Sequence, residues 1–78
     1  MPTVLRIGPY RLHFYAADGH EPPHVHVARD EKELKVWLDT VRAAGETGFN
    51  AREIRAVLTL IADNREVLLR TWHDYFRH

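Results

Sequence analysis

The chain has 78 residues and no cysteine, 45% of its residues are hydrophobic, and 11 basic residues balance 11 acidic ones. The apolar content excludes a disordered chain, and the lack of cysteine excludes disulfides, cysteine-ligated zinc and a cysteine nucleophile. A neutral chain lacks the basic excess of most nucleic-acid binders, although a local basic patch is compatible with RNA. A domain this short buries only about 60% of its unfolded surface, so a partner or a dimer would stabilise it.

Alternation of apolar and polar residues predicts four strands in the first half of the chain. The predicted strands are residues 3–7, 10–16, 24–29 and 34–39. Gly8-Pro9 marks a turn after the first strand, and Asp18-Gly19 with Pro22-Pro23 marks a polar loop before the third. Because successive strands are joined by turns or one loop, we expect an antiparallel meander.

Helical spacing of apolar residues predicts two helices, over residues 51–62 and 64–77. Asn50 followed by Glu53 has the pattern of a capping box, and Asp63 followed by Glu66 repeats it. One unbroken helix would be about 40 Å long, whereas a domain of this size is about 25–30 Å across. The sequence therefore predicts a single α+β domain over residues 1–78, with order ββββαα and the helices packed on one face of the sheet.

The alternation also assigns residues to the two faces of the sheet. The positions expected to face the helices are Leu12, Phe14, Val25, Val27, Val36 and Leu38. The positions expected on the opposite, open face are His13, Tyr15, His24, His26, Lys35 and Trp37. Opposed residues of an antiparallel pair share a face, so His13 opposite His26 and Tyr15 opposite His24 would satisfy this pattern.

Acid–base chemistry is the first function that this face could support. The predicted catalytic residues are His24, His26, His13 and Lys35. The predicted contacts to a substrate or partner are Tyr15, Trp37, Glu21 and Arg42. Histidines that titrate near neutral pH can deprotonate a ribose 2′-hydroxyl, a lysine can stabilise phosphate charge, and aromatic rings can stack bases. Together these groups predict a metal-independent ribonuclease that requires no cofactor.

Two other functions use the same face. His24 and His26 alternate on one strand, and His13 across the ladder would complete the three nitrogens of a zinc site, with His20 and Glu21 as further candidate ligands. Aromatic and histidine side chains are also common in protein interfaces, which predicts a non-catalytic protein-binding, antitoxin or regulatory module, or a homodimer. The residues alone leave these alternatives open.

The most specific segment of the chain is Glu-Pro-Pro-His-Val-His-Val at residues 21–27. Together with this segment, residues 1–7, 10–11, 14–15, 35–38, 48–54 and 72–76 resemble the bacterial domain-of-unknown-function family 4160. The resemblance implies a small prokaryotic protein encoded beside a protein of domain-of-unknown-function family 2442. It also implies that the two form a toxin–antitoxin pair in which this chain is the toxin-like member.

The location of the protein is predicted from what the sequence lacks. The N-terminus has no long apolar run of the kind found in signal peptides, and no stretch approaches the roughly 20 apolar residues of a membrane span. A soluble cytoplasmic protein without membrane contact is therefore expected. Its expected partners are the small cognate protein and RNA.

Overall fold

The computed structural model describes residues 3–45 and 48–77. The strands are β1 (Thr3–Ile7), β2 (Tyr10–His13), β3 (His24–Arg29), β4 (Lys32–Trp37) and β5 (Arg42–Ala44). The helices are α1 (Ala51–Asp63) and α2 (Arg65–Phe76), and a 3₁₀ helix, Ala16–His20, joins β2 to β3. The predicted α+β class, an antiparallel sheet followed by two helices, is confirmed. The predicted domain also included residues 1, 2, 46, 47 and 78, which lie outside the described residues.

The prediction of four strands is wrong, because the sheet has five. They pair in sequence order, each antiparallel to the next. The added strand, β5, has three residues and follows Val41, whose φ of 52° turns the chain back along β4. A strand of three residues is too short to show a period of two, so the sequence gives no sign of it.

Two predicted strand boundaries also differ from the structure. The second strand was expected to reach residue 16 but ends at His13. Beyond it, the backbone N–H of Tyr15 donates to Asp18 Oδ2 at 2.8 Å instead of to a neighbouring strand, and the 3₁₀ helix begins. The fourth strand was expected over residues 34–39 but runs from Lys32 to Trp37.

The predicted division of the sheet into two faces is confirmed for its apolar side. The six residues expected to face the helices are fully buried: Leu12, Phe14, Val25, Val27, Val36 and Leu38. They form one core with α1 and α2, whose buried residues are Val57, Ile61, Leu68 and Trp72. The register also places His13 opposite His26, as predicted, and Lys35 opposite His26 on the other side.

Both helices begin within a residue of their predicted start. Asn50 caps α1, and its side chain accepts a hydrogen bond from the backbone N–H of Glu53 at 2.8 Å. The second capping box is wrong: α2 has Asn64 at its N-cap position without a side-chain capping bond, and Asn64 Nδ2 instead donates to the Leu60 carbonyl at 2.8 Å. Neither helix in the described parts of the chain has the length and apolar character needed to cross a membrane.

Candidate functional site

The sheet face that carries the histidines is covered, which corrects the expectation of an open face. His13 is 3% exposed, His24 0% and His26 9%. The 3₁₀ helix lies beside this face and places the Asp18 carboxylate next to the imidazoles of His24 and His26. Its approach to α2 requires a glycine, because a Cβ atom on Gly19 would lie 2.7 Å from the Phe76 ring. Both faces of β3 are therefore buried inside the protein.

A backbone carbonyl group fixes the tautomer of the neutral His24 imidazole. Its Nδ1 lies 2.9 Å from the Pro22 carbonyl oxygen, and because a carbonyl only accepts, Nδ1 must carry the hydrogen. The other nitrogen, Nε2, lies 3.2 Å from Asp18 Oδ2 and 3.7 Å from Glu21 Oε1. It is buried without a hydrogen-bond partner. A neutral His24 thus directs a lone pair at carboxylate oxygens.

His26 lies between two carboxylates. Its Nε2 is 3.0 Å from Asp18 Oδ2, and its Nδ1 is 3.3 Å from Glu33 Oε2. The Tyr15 ring contacts it edge-on, with ring centroids 4.4 Å apart. Tyr15 was expected to lie opposite His24, and this is wrong because Tyr15 follows the end of β2.

His13 lies on the far side of His26 from His24. Its ring stacks on that of His26, with centroids 5.5 Å apart, and its Nε2 lies 3.4 Å from Glu33 Oε1. Burial lowers the pKa of His13 below its ordinary value, and the nearby Glu33 carboxylate offsets only part of this effect. The neutral imidazole of His13 is therefore favoured, and its ring packs against that of His26 at one side of the cluster.

The electrostatics of the cluster favour a charged Asp18. Burial alone would raise the pKa of this carboxyl. The hydrogen bond from the Tyr15 backbone and the attraction of His24 and His26 outweigh burial, so the pKa is lowered. Burial and the hydrogen bond to Glu33 raise the pKa of the Tyr15 hydroxyl, which therefore stays protonated and donates to Glu33 Oε1 at 2.8 Å. Asp18 is an anion beside two imidazoles.

The outer rim of the site is formed by the predicted catalytic residue Lys35 and by the predicted contact residues Glu21, Trp37 and Arg42. Lys35 Nζ lies 2.6 Å from Glu21 Oε1 and 4.4 Å from the centre of the Trp37 ring. This hydrogen bond lowers the pKa of the exposed Glu21 carboxyl. Trp37 contacts the His24 ring, with centroids 5.3 Å apart, and pairs with Arg42 on β5. The rim is therefore polar and accessible, unlike the buried imidazoles.

An apolar groove of about 190 Å³ opens beside this rim. It is lined by Pro22, Pro23, Trp37, Asp39 and Thr40 and is called the Trp37 groove below. The groove lies where β3 begins and β4 ends, next to the edge strand β5.

A family model described as Domain of unknown function (DUF4160) matches residues 10–73. The chain belongs to this family. No curated protein and no solved structure matches the chain.

The sequence of this DUF4160 member predicts that the histidines belong to the site, but it does not identify Asp18 and Glu33 as their neighbours. Asp18 was interpreted only as part of a turn, and Glu33 was not singled out, yet each lies within 3.4 Å of two or more groups of the cluster. The pair Asp18-Gly19 signals a turn, and nothing in it indicates a contact with the imidazoles. His20, a candidate ligand, is exposed at the end of the 3₁₀ helix.

Proposed function

We propose that this protein is one member of a two-protein module and that it binds its cognate small protein, of the domain-of-unknown-function 2442 type, through the Trp37 groove and the edge strand β5. The observation that supports this most strongly is the position of the groove. A half-buried tryptophan beside prolines, at the edge of a sheet, suits an extended segment that adds to the sheet and inserts an apolar side chain.

Charges of both signs border the groove, because Asp39 lines it and Glu21 pairs with Lys35. Arg42 is exposed on β5 opposite Trp37, and Lys35 lies over the Trp37 ring. Cations around an aromatic anchor are typical of residues that dominate binding energy in protein interfaces. The histidine cluster lies beneath this surface, where it supports Trp37 through the His24 ring.

Co-expression with the neighbouring gene product tests this proposal. Size-exclusion chromatography with light scattering should show a complex, and the same measurement on the chain alone tests for a homodimer. Thr40→Arg places a long side chain in the groove at an exposed position and should weaken binding by about tenfold or more. Val67→Ala is the control, because Val67 is exposed on α2. Binding that Thr40→Arg leaves unchanged would rule out the groove, and no complex would contradict the proposed function.

Toxin-like RNA cleavage is a second candidate, supported by one observation. His26 keeps a small exposed fraction and lies between Asp18 and Glu33, which can orient an imidazole as a general base. Expression of the chain alone should then arrest growth and fragment RNA, and His26→Gln should abolish both effects. His20→Gln, in the exposed 3₁₀ segment, should not. Growth arrest that persists in His26→Gln would contradict a catalytic role for His26.

A further inference from the structure

We infer that Asp18, His24 and His26 form a binding site for a divalent first-row transition-metal ion. Of the described residues, these three bring one oxygen and two nitrogens within 4.8 Å of one another. The inference concerns a site beneath the Trp37 groove and does not depend on partner binding.

The orientation of the two imidazoles is the first argument for a metal. His24 Nδ1 donates to the Pro22 carbonyl, and His26 Nδ1 lies 3.3 Å from Glu33 Oε2. When Nδ1 of each ring carries its hydrogen, both Nε2 atoms direct lone pairs at Asp18 Oδ2. Metal-binding histidines are held in this way, with the far nitrogen donating to a carbonyl or carboxylate.

The need for a positive charge is the second argument. A lone pair on buried His24 Nε2 faces the Asp18 oxygen at 3.2 Å and Glu21 Oε1 at 3.7 Å, which is repulsive unless a cation lies between them. The 3.0 Å contact of His26 Nε2 with the same oxygen is a hydrogen bond when Nε2 carries the hydrogen, and it is repulsive only when the hydrogen is on Nδ1. One divalent ion between Asp18 and the two Nε2 atoms would remove the repulsion at His24 and would replace the hydrogen bond between His26 and Asp18.

The distances and the ligand types limit the choice of ion. Zinc bonds of about 2.0–2.1 Å place two tetrahedral ligands about 3.3 Å apart. The observed separations of 3.0 and 3.2 Å from Asp18 Oδ2 are within a few tenths of an ångström of that value. Two imidazoles and one carboxylate suit zinc, iron, cobalt or nickel, whereas calcium and magnesium prefer oxygen ligands alone. Glu21 Oε1 is a nearby further oxygen.

Metal titration of tag-free protein, stripped with a chelator, tests the site. Calorimetry with Zn²⁺ should give one ion per chain with a dissociation constant in the micromolar range or below. Co²⁺ should give visible absorption bands, and its paramagnetic shifts should fall on the ring protons of two histidines. Asp18→Asn keeps the size of the side chain and the acceptor for the Tyr15 N–H, and it should weaken binding by about tenfold or more. His26→Gln should weaken it similarly, and His20→Gln should not.

The Co²⁺ spectrum of the unchanged chain keeps the test decisive even if a variant fails to fold. Shifted signals from His24 and His26 would support the site. Binding that shifts His20 or His73 instead, or that Asp18→Asn leaves intact, would overturn it. An absence of Zn²⁺ binding would also overturn it.

Discussion

Glu53 connects the helical layer to the sheet through its carboxylate. The carboxylate accepts a hydrogen bond from the Tyr10 hydroxyl at 2.9 Å and pairs with Arg29. Burial would raise the pKa of Glu53, but the bonds from Tyr10 and Arg29 outweigh it and the pKa is lowered. The unfolded chain then binds more protons in acid. The stabilisation is therefore present above the unfolded pKa, about 4.3, and is lost as the pH falls through the folded value.

We expect Glu53→Gln to lower the free energy of unfolding most above about pH 5 and progressively less as the pH falls towards 3. Urea unfolding followed by far-UV circular dichroism at several pH values measures this difference. Glu31→Gln, in the exposed turn between β3 and β4, is the control and should change stability by less than about 0.5 kcal/mol. A deficit for Glu53→Gln that is constant over this pH range would show that ionisation is not its source.

Ile61 tests the packing of α1 on the sheet. It is fully buried in the core that α1 shares with the strands. Ile61→Val removes one methylene and should lower the free energy of unfolding by about 1 kcal/mol in urea denaturation. Val67→Ala, at a position 47% exposed on α2, should change it by less than about 0.5 kcal/mol. Equal losses at the two positions would mean that the exposed side of α2 is packed in solution.

The alternation of apolar and polar residues predicts that the histidines of the candidate site share one face of the sheet. It does not predict that Asp18 and Glu33 contact them. His24 and His26 share a face because they are two residues apart on one strand, and that geometry follows from the sequence. Asp18 reaches them from a 3₁₀ helix whose position depends on the contact between Gly19 and Phe76. Such a contact joins residues far apart in the chain, so local pattern does not predict it.

At the scale of elements, Gly8 closes the hairpin between β1 and β2. Its φ is 56°, a conformation that costs an L-residue with a Cβ atom about 1–2 kcal/mol, and a Cβ atom there would meet nothing within 4 Å. Gly8→Ala should therefore lower the free energy of unfolding by about 1 kcal/mol through the backbone alone. Gly8→Asn should cost less, because asparagine tolerates this conformation. Equal losses in thermal or urea unfolding would contradict this explanation.

The elements that the sequence missed are the short ones. The long alternating and helical patterns gave β3, β4, α1 and α2 within about two residues at each end, as expected for strongly periodic segments. β5 has three residues, and the 3₁₀ helix has five that carry no apolar period. Their conformations depend on Val41 at positive φ and on the hydrogen bond from Tyr15 to Asp18, which are specific contacts rather than patterns.

At the scale of the whole molecule, β3 joins two layers that would otherwise be separate. Its valines enter the helical core, and its histidines enter the cluster beneath the 3₁₀ helix. Trp72 of α2 contacts both Phe14 in the core and the His24 ring, with centroids 5.1 Å apart in each pair. Because the layers share a strand and these contacts, neither can open without disturbing the other.

We therefore expect the two sides of the sheet to unfold in one transition. Trp72→Phe leaves Trp37 as a fluorescent reporter of the histidine side, and Trp37→Phe leaves Trp72 as a reporter of the core. Within each variant, in the presence of a chelator, the urea midpoints from fluorescence and from far-UV circular dichroism should coincide. The comparison is internal, so any stability lost by the substitution itself does not affect it. If Trp37 fluorescence changes at lower urea than the helical signal, the histidine cluster opens before the core and the two layers are separate units of stability.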